Sequence, residues 1–348
     1  MSTRDSTPDL AATGSATTRG RAHGTARYGV LAAAVALAFT AAPAAAKTIL
    51  FIGNSFTYGE LTPSVMNYKP STVVDLVGTG IGGVPALFEQ MTTDRGLDYT
   101  VFVETQPGSN LDFHYNNRLA LINKPWDVVV MHGQSNLDFA APNNPAKISQ
   151  YTGILGQVFQ AQNPNVDLRL TATWSRADIT YQPGCNSLNP PSPWCGGSIL
   201  QMGIDVQKGY QVAMSANSAF VDGVNPVGLA WNNAIIAGFA DPNPFNGITA
   251  GQVNLWASDS YHASAFGYYL HALVDFGTIT GQDPTVLGWD TAARDLGFTA
   301  AQAMAMQGFA SAAITQAIPE PETWALMALG TGFVGWMARR RRKADATA

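Results

Sequence analysis

The run Thr48-Ile49-Leu50-Phe51-Ile52 is apolar on both faces and stops abruptly at Gly53-Asn54-Ser55. A strand with no polar face must be covered on both sides, the place of an inner strand in a parallel sheet wrapped by helices. The rest of the chain keeps the same rhythm. Strand patterns recur over residues 99–104, 126–132 and 168–173, with a shorter one near 219–221. Helical patterns lie between and after them, over 83–91, 146–162, 199–215 and 226–239. A last long helix is expected to open at Asp259 and run to Thr280. Strand and helix in alternation predict a three-layer α/β/α sandwich on a short parallel sheet. In such a sheet ligands bind beyond the carboxyl ends of the strands.

Both ends of the chain stand outside this pattern. Arg19, Arg21 and Arg27 precede a small apolar run, which leads into Ala41-Ala42-Pro43-Ala44-Ala45-Ala46. That order predicts a secretory signal peptide over residues 1–46, because the run is shorter than the roughly 20 residues needed to span a bilayer. Near the other end, Ile318-Pro319-Glu320-Pro321 is followed by an apolar stretch and by Arg339-Arg340-Arg341-Arg342-Lys343. This arrangement resembles the PEP-CTERM sorting signal of Gram-negative bacteria. The resemblance implies a sorting segment over 318–348 with a transmembrane helix and a basic tail that stays cytoplasmic. It further implies transient anchoring in the inner membrane, processing by an exosortase-type peptidase, and a final place in the cell envelope or outside it. An ordinary C-terminal anchor is the alternative.

Residues 47–282 are then the main domain and 283–317 a helical extension, either packed on the domain or forming a stalk. From Lys47 to Ile318 there are 10 Lys and Arg against 19 Asp and Glu, a net charge of −9. An acidic chain without a basic patch is a poor partner for nucleic acid. The two cysteines, Cys185 and Cys195, sit close together in a segment rich in Pro and Gly. In an oxidising compartment one disulfide is the simplest reading, and the segment lacks the His or carboxylate company of a metal site.

The chemistry is sought where strands end. Ser55 directly follows the first strand, but a serine hydroxyl is a weak nucleophile until a base takes its proton. Only His114, His132, His262 and His271 lie between the two end segments. His262 has Asp259 three residues before it, a spacing that lets a carboxylate accept from Nδ1–H and fix the tautomer. Each motif has an ordinary reading too: Gly-Asn-Ser is a common turn, and Asp259 could simply cap a helix.

Taken together the two motifs resemble the SGNH (GDSL-like) hydrolase superfamily, whose flavodoxin-like α/β/α fold matches the expected architecture. Gly53-Asn54-Ser55-Phe56-Thr57 resembles its first block and Asp259-Ser260-Tyr261-His262 its last. The resemblance implies Ser55 as nucleophile, His262 as base and Asp259 as its partner. It implies an oxyanion hole from the N–H groups of Ser55 and Gly108. The family's oxyanion Asn should follow the third strand, where this chain reads His132-Gly133-Gln134-Ser135-Asn136. Gln134 is the expected substitute and Asn136 the lesser one. Asn54, His114, His132 and Trp174 are candidates to line the site, and His271 is read as structural. A rival reading makes Ser135 the nucleophile, since Gly133-Gln134-Ser135-Asn136 resembles the nucleophile block of sialate-type acetylesterases.

The implied function is exported hydrolysis of small acyl esters through an acyl-enzyme, with carbohydrate O-acetyl groups as one substrate class and lipase activity as another. No metal or organic cofactor is implied, and membrane contact is confined to the sorting helix. The contrasting expectation is a non-catalytic matrix or carbohydrate-binding protein on the same fold.

Overall fold

The computed structural model describes residues 46–186 and 191–317. The leader up to residue 45 and the whole sorting segment 318–348, with its expected transmembrane helix and basic tail, lie outside them. β1 (Lys47–Gly53) runs into α1 (Ser55–Tyr58), α2 (Pro63–Met66), β2 (Val74–Asp75) and α3 (Gly83–Asp94). Then come β3 (Tyr99–Thr105), α4 (Leu111–Ile122), β4 (Val128–Met131), α5 (Ala146–Gln162) and β5 (Asp167–Thr171). α6 (Ile199–Ala216), β6 (Gly223–Asn225), α7 (Val227–Ile236), α8 (Ala265–Thr280), α9 (Thr291–Asp295) and α10 (Ala300–Ala317) complete the described chain.

The six strands form one sheet in the order β2-β3-β1-β4-β5-β6, and every pairing is parallel. β1 is inner, as its apolar run requires, with β3 on one side and β4 on the other. Its side chains alternate between two cores. Ile49 and Phe51 join Val101, Val103 and Val130 under α3 and α8, while Leu50 and Ile52 join Val129, Met131 and Leu168 on the opposite face. Leaving aside the two-residue edge strand β2, the chain winds outward from β1 in both directions, so the connections after β1, β3 and β4 meet at a topological switch point.

Three differences from expectation have local causes. The short strand forms at Gly223–Asn225 and not at 219–221, because the N–H groups of Phe220 and Val221 close a turn on Asn217 O and are lost to the ladder. The last long helix starts at Ala265 and not at Asp259. Ser260 sits at φ 58, outside the helical region, and Ala257 N–H bonds back to His262 O at 2.7 Å, closing a tight loop before the helix. The third difference is α4, which carries a scattered apolar pattern and is held through its first turn. Asn110 Oδ1 accepts from Leu111 N–H at 2.9 Å there.

The segment 283–317 packs on the domain. Ala303, Met306, Ala310 and Ala313 of α10 belong to the same core as α7 and α8. Buried Asp290 accepts from Tyr269 of α8 and from Ala293 N–H, locking α9 in place. Cys185 and Cys195 are bonded, with Cα atoms 5.1 Å apart. Among the described residues no helix is long and apolar enough to cross a membrane.

Candidate active site

β1 delivers Ser55 to the carboxyl edge of the sheet. Gly53 permits the turn, since a Cβ there would come within 2.1 Å of Thr57 Oγ1 and 2.5 Å of His132 Nε2. Asn54 then caps α1, its Oδ1 accepting from Phe56 N–H at 3.1 Å. Its amide nitrogen donates to Ser109 O and to Gly133 O, each at 3.0 Å. One buried side chain thus pins together the loops that follow β1, β3 and β4. Asn54 braces the site from beneath, and does not line its surface.

The loop before α8 brings His262 to the same edge. Thr62 Oγ1 donates to Ala263 O at 2.7 Å, and Tyr268 O–H donates to Ser55 O at 3.3 Å. These bonds join segments about two hundred residues apart, and the His262 ring lies 5.6 Å from that of Phe56, the residue after Ser55. Asp259 holds the imidazole from the other side. Its Oδ2 accepts from Nδ1 at 2.6 Å, while Oδ1 takes the N–H groups of Tyr261 and His262 at 3.0 and 2.9 Å. Burial acts to raise the Asp259 pKa, but these three hydrogen bonds outweigh it and keep the carboxyl below its usual range.

With Nδ1 donating to the carboxylate, Nε2 is the acceptor nitrogen, and it has no hydrogen-bond partner among the described residues. Ser55 Oγ likewise makes no hydrogen bond among the described residues, to His262 or to any other group. Catalytic hydrogen bonds are often long in unliganded sites and tighten around substrate. Trp174 does not form a wall of the site. It is fully buried, stacked on Phe56 at 3.9 Å and donating to Tyr261 O at 3.1 Å, and so supports both motifs from below.

The loop after β3 forms the opposite side of this edge. Gly108 takes φ 69, a conformation glycine adopts without strain, and neither its N–H nor that of Ser55 has a partner among the described residues. The Gln134 side chain reaches across to this loop. Its Nε2 donates to Gly108 O at 3.0 Å and its Oε1 accepts from Phe139 N–H at 2.8 Å. The second Nε2 proton has no partner among the described residues. Asn136 is buried, with Oδ1 unpartnered. Ser135 is buried beside the Tyr261 phenol, and no histidine bonds to it among the described residues.

The other candidate histidines are enclosed. His132 bonds Thr57 Oγ1 through Nε2 at 2.7 Å and Gly133 O through Nδ1 at 3.0 Å. Burial pushes its pKa down to about 3, so it is a neutral structural ring and not part of the site lining. His114 is fully buried between Glu104 and Ser109, and His271 sits on α8 with Asp275 3.2 Å away. Sequence reasoning missed the Arg176 guanidinium, which lies 3.6 Å over the Tyr261 ring and is gripped by Asp178. An arginine two residues before an aspartate, Arg176 and Asp178, was its signal in the sequence. No cluster of His, Cys, Asp and Glu suited to a metal occurs among the described residues. A cavity of about 540 Å³ opens elsewhere, between α6, α8 and α10, and none of the residues named for catalysis lines it.

Comparison with known proteins adds two findings. Residues 317–342 match the PEP-CTERM protein-sorting motif, which indicates export by exosortase-dependent sorting to the cell envelope. No curated protein matches the chain in sequence. Among solved structures, a DUF4886 family protein from Bacteroides uniformis is similar over 77% of this chain and 95% of its own, at 17% identity and a TM-score of 0.53. A candidate SGNH hydrolase from Slackia heliotrinireducens aligns over 67% of this chain and 99% of its own, at 22% identity and a TM-score of 0.42. A carbohydrate esterase family 2 enzyme with a carbohydrate-binding domain, from Corynascus thermopiles (Myceliophthora fergusii), aligns over 70% of this chain and 69% of its own, at 16% identity and 0.40. The architecture is an α/β/α sandwich on a six-stranded parallel sheet, and at 17% identity the likeness to the DUF4886 family structure concerns the fold alone.

Proposed function

We propose that the protein is an exported serine esterase acting on small acyl esters. The observation that carries this reading is the His262 imidazole. It is oriented by Asp259, its acceptor nitrogen has no partner among the described residues, and it stands beside the segment that holds Ser55. Ser55 Oγ attacks the ester carbonyl while His262 Nε2 takes its proton, then returns it to the leaving alkoxide. The unpartnered N–H groups of Ser55 and Gly108 stabilise the oxyanion, with the spare Nε2 proton of Gln134 as third donor. Water activated by His262 then releases the acid and frees Ser55.

Sorting to the envelope supports substrates found there, and O-acetyl groups on exported carbohydrate fit both the chemistry and the place. The sorting motif supports a Gram-negative host, transient inner-membrane anchoring and exosortase processing. Purified protein should hydrolyse p-nitrophenyl acetate and acquire one covalent label from a fluorophosphonate. Ser55→Ala should abolish both, and Ser135→Ala should abolish neither. The reverse outcome would move the nucleophile to Ser135. A second reading, a carbohydrate-binding protein without turnover, draws on the two hydrogen bonds that already occupy Gln134. Unlabelled wild-type protein would favour it.

A further inference from the structure

We propose that Glu104, His114 and Ser109 form a buried clamp that aims the Gly108 N–H, which makes His114 a positioning residue for ester hydrolysis. This rests on the reading of Gly108 as an oxyanion donor. Glu104 lies near the carboxyl end of β3, and both its side chain and that of His114 in the first turn of α4 are fully buried. The carboxylate bonds His114 Nδ1, and His114 Nε2 lies 2.9 Å from Ser109 Oγ. Serine, histidine and carboxylate in that order are also the parts of a catalytic triad, so the direction of each hydrogen bond decides the role.

Ser109 Oγ is 2.8 Å from Gln106 O, and a carbonyl can only accept. The single hydroxyl proton therefore points to Gln106, and the Oγ lone pair faces His114. Nε2 must then carry a proton and donate it to Ser109. A general base needs the opposite arrangement, with the ring accepting from serine. His114 Nδ1 lies against the buried Glu104 carboxyl, whose second oxygen is 3.6 Å from Arg118 Nε.

The clamp closes on a short loop. Gln106 N–H bonds Gly53 O at 3.1 Å at the loop's start, and Asn110 caps α4 at its end. Between them Ser109 is fixed on three sides: Oγ to Gln106 and His114, N–H to Gln106 O at 3.2 Å, and O to Asn54 at 3.0 Å. Among the described residues Gly108 itself is held only through its carbonyl, by Gln134. Its left-handed backbone has no neighbour within 4 Å of the Cβ position to steady it. The orientation of its N–H is thus inherited from Ser109, and through Ser109 from His114 and Glu104.

Two measurements test the clamp. Ring 15N spectra of the purified protein at neutral pH should show His114 Nε2 protonated; an unprotonated Nε2 overturns the assigned direction. Ser109→Ala should lower kcat for p-nitrophenyl acetate about 10-fold while KM stays within about twofold. The affinity for a boronic acid should fall by the same factor as kcat, because only oxyanion binding is impaired. A folded Ser109→Ala protein with unchanged kcat overturns the proposal. So does loss of fluorophosphonate labelling in Ser109→Ala when Ser55→Ala still labels, since Ser109 would then be the nucleophile. Wild-type protein that turns over no ester overturns the esterase reading and the clamp's catalytic meaning with it, whereas the ring-nitrogen result tests the hydrogen-bond direction by itself.

Discussion

Two histidines at the carboxyl edge of the sheet each hold a carboxylate through Nδ1, and their surroundings differ in one respect. His114 has its second nitrogen bonded to Ser109, whereas the second nitrogen of His262 meets no protein group among the described residues. A carboxylate partner therefore does not mark a catalytic imidazole. What supports the proposed role of His262 is an acceptor nitrogen left open beside the proposed nucleophile, at a cost in unsatisfied polarity that a purely structural residue has no reason to carry. His132 extends the contrast. With both nitrogens occupied and no carboxylate, it is held neutral by burial.

The sharpest way to break this comparison is to remove the open ring. His262→Ala should reduce kcat about 10³-fold, the scale of a lost general base, in protein that remains folded by circular dichroism. Asp259→Asn should cost about 10²-fold, by releasing the tautomer and loosening the loop that Asp259 Oδ1 ties at Tyr261 and His262. Because hydrogen bonds depress the Asp259 carboxyl in the folded state, its contribution to stability is present above the ordinary carboxylate pKa. That contribution is lost as pH falls through the depressed value. Gln134→Ala should lower kcat about 10-fold, through the lost donor and the unbraced Gly108 carbonyl. If it lowers melting temperature without touching kcat, Gln134 is a strut only.

The smallest effect concerns the neutral ring and is read in stability. His132 titrates at about 3 in the fold and near the ordinary histidine value when unfolded. The unfolded chain therefore binds the extra proton first as pH falls. Stability should drop from about pH 6.5 toward 3 and be flat in this respect above that window. His132→Gln should flatten the slope of melting temperature against pH in that window, even if its absolute melting temperature is lower. An unchanged slope would show that other groups set the acid limit.

Much of the frame was legible before any coordinates. The unbroken apolar run of β1 demands an inner strand, and alternation of the two periodicities leaves few arrangements but a helix-covered parallel sheet. The Asp259–His262 pairing was legible too, because it needs only a three-residue span. The shape around it was not. Asp259 looked like the start of a helix, but the chain makes a tight loop with Ser260 at positive φ, which propensity does not announce. Trp174 looked like a rim residue and is a buried slab under Phe56, since its burial depends on α7 and α8 arriving above it.

What the sequence determined by itself is therefore local or periodic: the strand-and-helix order, the end segments, and a carboxylate next to a histidine. Tertiary structure alone decided which histidine keeps an open nitrogen, that Asn54 ties three loops, and that Gln134 spends its amide on Gly108. Each of these depends on hydrogen bonds between segments tens to hundreds of residues apart, formed only once the sheet has brought the strand ends together. Residue spacing carries no record of those partners, because direction and distance in space are set by packing.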